Sequence, residues 1–425
     1  MFKTLRNAMS IPDLRKKLFV TLALLMVFRA GIFIPVPDIN REALDQMVSG
    51  GLLFGFLDII SGGGFKNFSI FAMGISPYIT SSIIMSLLTV AIPRLEQIQK
   101  EGQEGRKKIA TMTRYLTIVF ALLQSFSMAV YLNVNGVLVD GSVLNLATIM
   151  ITLTTGTLFV MWLGEKITEY GLGNGTSLII FTGIIAQIPN LGYQLIVLVK
   201  GGSMNIIQVA LLIIFAVLII VGIVIMDLGE RRIPVQYAQR KVGAKTFGGQ
   251  NTHIPINVNS TGVIAIIFAM SLMQAPLLVT QLFLEPTNQW RVLFESGWLS
   301  ISKPIYPIVY VLFIIFFTWF YTSITFKPDE MAENLQKSGG FIPGIRPGLP
   351  TENFLTNVLN RMTLIGGVFA SIVAIIPIVL AQMSSNLQNF QLGGTTMLIV
   401  VNVALELRKQ VKAQLVMKNY GGFLK

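Results

Sequence analysis

Residues 206–228 read IIQVALLIIFAVLIIVGIVIMDL, and until Asp227 nothing in them carries a charge. Twenty such residues in a helix rise about 30 Å, the thickness of the hydrocarbon core of a bilayer. Soluble cores do not need so long an unbroken apolar run, so this segment predicts a transmembrane helix. Similar runs recur across the chain. Over its 425 residues 53% are hydrophobic, only 12% are charged, and the mean hydropathy is +0.69, far from the roughly one quarter charged residues of soluble domains. The chain is therefore expected to be one all-α membrane domain.

Working outward from that segment, spans are expected near Leu18–Pro35, Ile70–Ile92, Thr113–Val134, Val143–Leu163, Ser177–Ile196, Ile206–Leu228, Gly262–Leu284, Pro304–Phe326, Thr363–Met383 and Thr395–Leu407. The first follows Arg15, Lys16 and Lys17 and lacks a small-residue cleavage site, so it is expected to be kept as a span. When Lys and Arg are assigned to alternate sides, 26 of the 32 fall on one side, five on the other, and Arg29 lies within the first span. The positive-inside rule puts the rich side, with both termini, in the cytoplasm.

Ten spans with both ends inside divide into halves, about 1–200 and 201–425, of opposite orientation, an inverted repeat. Two short echoes fit: Ile70-Phe71-Ala72-Met73 with Ile267-Phe268-Ala269-Met270, and the six residues from Gly175 with the six from Gly394.

Three segments break the pattern. Residues 52–60 are apolar but too short to span, and Gly62-Gly63-Gly64 separates them from the next helix. They read either as a half-helix folded back into the bundle, which protein or a water-filled cavity must then surround, or as a helix lying on the outer leaflet. In the loop at about 229–261, alternation in Arg232–Tyr237 and His253–Val258 predicts a protruding hairpin with Arg240, Lys241 and Lys245 near its tip. In the loop at about 327–362, Asp329–Lys337 predicts a short helix. Thr351 caps another expected to reach Arg361, and residues 341–348 form a stiff turn with Arg346 between them.

Little catalytic chemistry is visible. There is no cysteine and a single histidine, His253, so disulfides, thiolate metal sites and most zinc chemistry are excluded. Residues 171–176 (GLGNGT) are rich in glycine but lack the Lys-Ser/Thr ending of a phosphate cradle, and read as a turn into a helix. No catalytic residue, metal site or cofactor is expected. Arg29 either snorkels or pairs with another subunit, or takes part in transport. Two function classes remain: a passive conduit driven by another protein, and an inverted-repeat transporter for a small solute. The lack of carboxylates within spans and the two long loops favour the first.

Several motifs in one order bear on that choice: residues 71–79 (FAMGISPYI) after the triple glycine, Glu101-Gly102 with Gly105-Arg106-Lys107-Lys108, Trp162-Leu163-Gly164-Glu165 with Gly171–Gly175, Arg231-Arg232-Ile233, and Lys337-Ser338-Gly339 through Gly348. Together they resemble the SecY/Sec61-alpha family of protein-translocase channels over essentially the whole chain. The resemblance implies a passive protein-conducting channel, not an enzyme, that moves secretory proteins across the bacterial plasma membrane and releases membrane proteins sideways into lipid. It implies a waist ring at Ile75, Ile79, Ile180, Ile184, Ile267 and Ile399, residues that pattern alone reads as ordinary bundle packing. It implies a plug at about 54–66, with Phe54, Phe56, Leu57, Ile59, Ile60, Gly62, Gly63 and Gly64. A lateral gate between spans two and three and spans seven and eight would be lined by Thr80, Gln124 and Gln274, which could equally make plain interhelical hydrogen bonds. Ser86 and Ala265 depart from the Gln and Pro common there in the family. Arg231, Arg232, Arg240, Lys241 and Arg346 would meet the SecA motor ATPase and the ribosome, though the same charges would also set topology and attract anionic lipid. Small membrane subunits like SecE and SecG, secretory preproteins with their signal sequences, and membrane lipid complete the implied partners.

Overall fold

The computed structural model describes residues 11–44, 58, 61–202, 205–237, 240–242, 245–247, 252–259, 263–283, 288–295, 297, 300, 303–383 and 394–421. Glycine and proline decide most element ends. Helix α1 is Pro12–Gly31, with its proline at the first turn, where no amide partner is lost. After a run of turns comes α2, Ser76–Ala91, then α3, Pro93–Lys100, bent by 100° from α2 at the Ile92-Pro93 step. Helices α4, Gln103–Val134, α5, Val143–Tyr170, α6, Gly175–Lys200, and α7, Ile206–Leu228, follow.

A β-rich projection then interrupts the helices, with β1 Glu230–Tyr237, β2 Arg240–Val242, β3 Lys245–Phe247 and β4 Thr252–Asn257. Beyond it lie α8 Ile264–Phe283, α9 Gln289–Glu295, α10 Ile305–Thr325, α11 Pro328–Lys337, β5 Gly340–Phe341, α12 Leu349–Met383 and α13 Gly394–Gly421. Helices α4, α5, α6, α7, α10 and α12 are long and apolar enough to cross a membrane, and α2 with α3 adds a seventh if the bent pair counts as one span. With α1, α8 and α13 the described residues hold ten helices of 16 residues or more. The chain is a multi-pass membrane protein.

The two halves repeat a packing order. Helix α2 packs on α4 and α4 on α5, while α8 packs on α10 and α10 on α12. The second echo also has a structural counterpart. A β-carbon built on Gly175 would lie 1.9 Å from the carbonyl oxygen of Gly164 in α5, and one on Gly394 would lie 1.8 Å from that of Val373 in α12. Each glycine opens its helix hard against the preceding span, where no side chain fits.

Four expected boundaries are corrected. Span two begins at Ser76, because Gly74 takes φ +54° and Pro77 sits in the first turn. Residues 70–73 are therefore turns, whereas their echo at 267–270 is helical. The connection after span two is helical, as α3 and the first turns of α4. Thr351 caps nothing: the helix expected to end near Arg361 runs on as α12, since neither glycine nor proline separates Thr351 from Thr363, and the Thr351 hydroxyl instead donates to the Arg346 carbonyl at 2.8 Å. Span ten continues to Gly421 well past Leu407.

The expected hairpin is present. Strand β1 pairs antiparallel with β4, with Ile233 opposite Ile254, and the β2–β3 tip sets Lys241 opposite Thr246. Strand β1 also pairs with β5 from the other loop, Gln236 opposite Phe341, so the sheet order is β4-β1-β5. Ile233, Ile256, Ile342, Leu355 and Leu359 close a small core beneath it. The two loops are one body.

Candidate functional site

Helix α6 carries the centre of the site. Asn174 caps it, its side chain accepting from the Ser177 amide at 3.3 Å. Ile180, Ile184 and Gln187 then recur at i, i+4 and i+7, on one face. Ile180 and Ile184 are buried in one apolar cluster with Ile75 and Ile399, drawn from α6, the start of α2, and α13. Ile180 and Ile399 hold equivalent places, each five residues past the glycine of its echo. Ile79 is partly buried and touches both this cluster and a second one, which holds the packing of Ile267 from α8. Ile75 precedes α2 as its cap and is almost wholly buried; a β-carbon on Gly164 of α5 would lie 3.6 Å from its Cδ1. It backs the cluster from α5's side while Ile79, one turn on, spans the two.

The segment before α2 meets α6 at Gly183, beside Ile184, and at Gln187, one turn on. The described part of the expected plug is Asp58 with residues 61–66; Phe54, Phe56, Leu57, Ile59 and Ile60 lie outside the described residues. Gly62 and Gly63 have φ of +70° and +90°, which disfavours any side chain. A β-carbon on Gly62 would also fall 2.7 Å from Cα of Gly183, so the backbones of this segment and of α6 meet at two glycines. The returning limb is tied to the exit of α1: the Val36 amide donates to Phe68 O at 2.9 Å and the Ile70 amide to Ile34 O at 3.0 Å.

Polar groups finish the seat. Asp58 is buried, and its carboxylate accepts from the Lys66 amide at 2.7 Å and from Gln187 Nε2 at 3.0 Å. Arg29 Nη1 donates to the Gly62 carbonyl at 2.7 Å, with the guanidinium 5.7 Å above the Phe33 ring. Arg29 lies in the last turn of α1, where the helix C-terminus favours a cation. The Gly62 carbonyl gives it a partner within the chain, so Arg29 needs none from another subunit to explain its place. Residue patterns did not reveal these partners. The available signal was that Arg29, Asp58 and Gln187 are polar residues within apolar stretches, each requiring a partner.

The expected gate residues are only partly placed. Helices α2 and α4 both touch α8. Thr80 donates back to the Ser76 carbonyl at 3.2 Å, Gln124 is half-buried on α4, and the Gln274 side chain lies outside the described residues. On the basic face Arg231, Arg232 and Arg346 are exposed, Arg232 pairing with Glu230 at 2.6 Å. Arg240 and Lys241 lie in β2, their side chains outside the described residues.

A profile of the SecY family matches residues 69–408. The chain belongs to the SecY family. Protein translocase subunit SecY of Halalkalibacterium halodurans is 47% identical over the full length of both chains, and that of Bacillus subtilis is 43% identical, again over all of both. Among solved structures, one described as a protein conducting channel aligns with TM-score 0.67 at 21% identity, covering 94% of this chain and 92% of that one. This likeness is one of fold. The residues that the resemblance assigns to the waist on α6, Ile180 and Ile184, and those it assigns to the plug, Asp58 with residues 61–66, adjoin along that helix.

Proposed function

We propose that this chain is the channel subunit of the bacterial protein-export apparatus, a conduit without catalytic residues of its own. A secretory polypeptide passes through the waist formed by Ile79, Ile180, Ile184, Ile267 and Ile399, with Ile75 buttressing it. Branched apolar side chains offer water and ions no ligands, so the closed waist resists leakage by dewetting and can still part around a chain. The segment of about 54–66 is the plug, and the seam of α2 and α4 against α8 and α10, with Thr80, Gln124 and Gln274, is the exit to lipid.

The observation that carries this reading is the single face of α6 that holds Ile180 and Ile184 in the apolar cluster and meets the plug segment at Gly183, between them, and at Gln187, one turn on. A seal and its stopper adjoin on one helix. The distribution of Lys and Arg supports a bacterial plasma-membrane orientation with both termini in the cytoplasm. The exposed Arg231, Arg232 and Arg346, with Arg240 and Lys241 at the tip, then face SecA or the ribosome, because guanidinium groups suit acidic protein surfaces and RNA phosphate. A related structure described as Sec61 in the canine ribosome-channel complex, TM-score 0.61, lends the ribosome reading support. Small subunits like SecE and SecG would cover apolar surface such as that of α7, on which Ile223 alone is buried.

The chain has no cysteine, so single cysteines can be placed at Ile79, Ile180 and Ile399, with an outward-facing control at the exposed Ile151 of α5. A secretory protein carrying one cysteine is stalled in transit by the motor. Disulfides at the three waist positions and none at the control are expected. Absence of waist crosslinks while the motor hydrolyses ATP on an intact complex would overturn the pore assignment.

A further inference from the structure

We propose that Arg29 and Gln187 form a two-point latch on the plug segment and so set how strong a signal sequence must be to open the channel. The proposal rests on the plug reading above. The two residues come from α1 and α6 and grip backbone and side chain four positions apart: Arg29 Nη1 on the Gly62 carbonyl at 2.7 Å, and Gln187 Nε2 on the Asp58 carboxylate at 3.0 Å and its carbonyl at 3.3 Å. Asp58 uses its other carboxylate oxygen within the segment, accepting the Lys66 amide, so a pull on Asp58 is a pull on the whole turn. Between the two grips Gly62 meets Gly183, and Ile32 Cδ1 would lie 3.4 Å from a β-carbon there.

Both grips are directional hydrogen bonds from half-buried side chains to the buried Asp58 and Gly62, so they hold while the segment is in place and are lost once it shifts by more than a hydrogen-bond length. They exist only while the plug is seated. By linkage, removing them moves the resting population toward the open state without touching the isoleucine waist. A signal sequence that contributes less opening free energy then suffices. Phe33, stacked on the guanidinium at 5.7 Å, limits the swing of Arg29 away from Gly62. Arg29 and Gln187 are thus positioning residues for the plug.

The test uses the whole translocase, with its small subunits and motor, in proteoliposomes. Four versions are compared with the parent: Arg29→Met, Arg29→Lys, Gln187→Leu, and deletion of residues 54–66. Two quantities are read: halide leak at rest, and the ratio of export of a protein with a charge placed in its signal sequence to export of the intact one. Arg29→Met and Gln187→Leu are each expected to raise that ratio about tenfold, equivalent to ~1.4 kcal/mol, with Arg29→Lys near the parent. Neither is expected to add to the deletion, an epistasis that a general loss of folding would not produce. Should Arg29→Met fail to accumulate, Gln187→Leu decides alone. A deletion that leaves the leak unchanged overturns the plug reading itself. A deletion that leaks, beside substitutions as tight and as signal-dependent as the parent, overturns the latch alone.

Discussion

Gly156 of α5 sits against the carbonyl of Ile70, so close that a β-carbon would lie 1.8 Å from that oxygen and 3.4 Å from Phe71 Cδ1. The turn leading into α2 is therefore seated on α5 by the absence of a side chain. Gly156→Ala is expected to destabilise the protein by about 1–3 kcal/mol, the range for an overpacked core. Thermal unfolding of the purified complex in detergent checks it. Gly192→Ala in α6, where nothing lies within 4 Å, is the control and should be neutral or slightly stabilising.

Arg346 projects from a turn that Thr351 holds by its carbonyl at 2.8 Å. Arg346→Ala should lower motor-driven export about tenfold or more while abundance in the membrane stays unchanged, because the side chain is exposed. Arg346→Lys should restore only part, lacking the planar fork. Export assays with purified motor read both, and an unchanged rate in Arg346→Ala would remove this residue from the docking surface.

Thr351 is buried, and its hydroxyl supports the turn without touching any outside partner. Thr351→Val, which keeps the shape and removes the donor, should cost about 1–3 kcal/mol through the carbonyl left unpaired. It should impair export more than Thr351→Ser does, and protease sensitivity of the turn is the measurement.

Lys100 and Glu96 form an exposed i,i+4 pair at 2.8 Å on α3. The hydrogen bond from Lys100 holds the Glu96 carboxyl below its ordinary value, and the same bond raises Lys100. The lowered acid contributes above its unfolded value and loses that contribution as pH falls through the folded one. The raised base contributes below its unfolded value and loses it as pH rises through the folded one. The pair is thus complete across neutral pH and fails at either extreme. Carboxyl NMR should show Glu96 titrating low, and Lys100→Met should return it toward ordinary glutamate behaviour; high salt should shrink the difference.

Much of this was legible in residue order, for a physical reason. The apolar runs had to become helices, since lipid leaves backbone groups no other partner, and ten long helices are present among the described residues. Pro12, Pro77, Pro93 and Gly339 mark ends where the backbone cannot continue as helix. The run from Leu349 through Met383 was less legible, because polarity falls at Thr363 while helix-forming residues continue across it. The candidate site divides in the same way. Ile180 and Ile184 share a face by spacing alone, yet that spacing describes any packed helix. The pairing of Arg29 with Gly62, or of Asp58 with Gln187 at a separation of 129 residues, is fixed by tertiary approach and leaves no local signature.

Strand β1 belongs to one basic loop and β5 to the other, and both loops come from the second half of the chain. Helix α7 runs into this sheet after a single residue, Gly229, and α12 leaves its small core through Leu355 and Leu359. The sheet is accordingly a handle rigidly fixed to one jaw of the molecule. Whatever grasps it hauls on α7 and α12 together, and the load reaches α1 to α6 through the short link from α6 to α7 and through the packing of α6 on α13 and of α2 and α4 on α8.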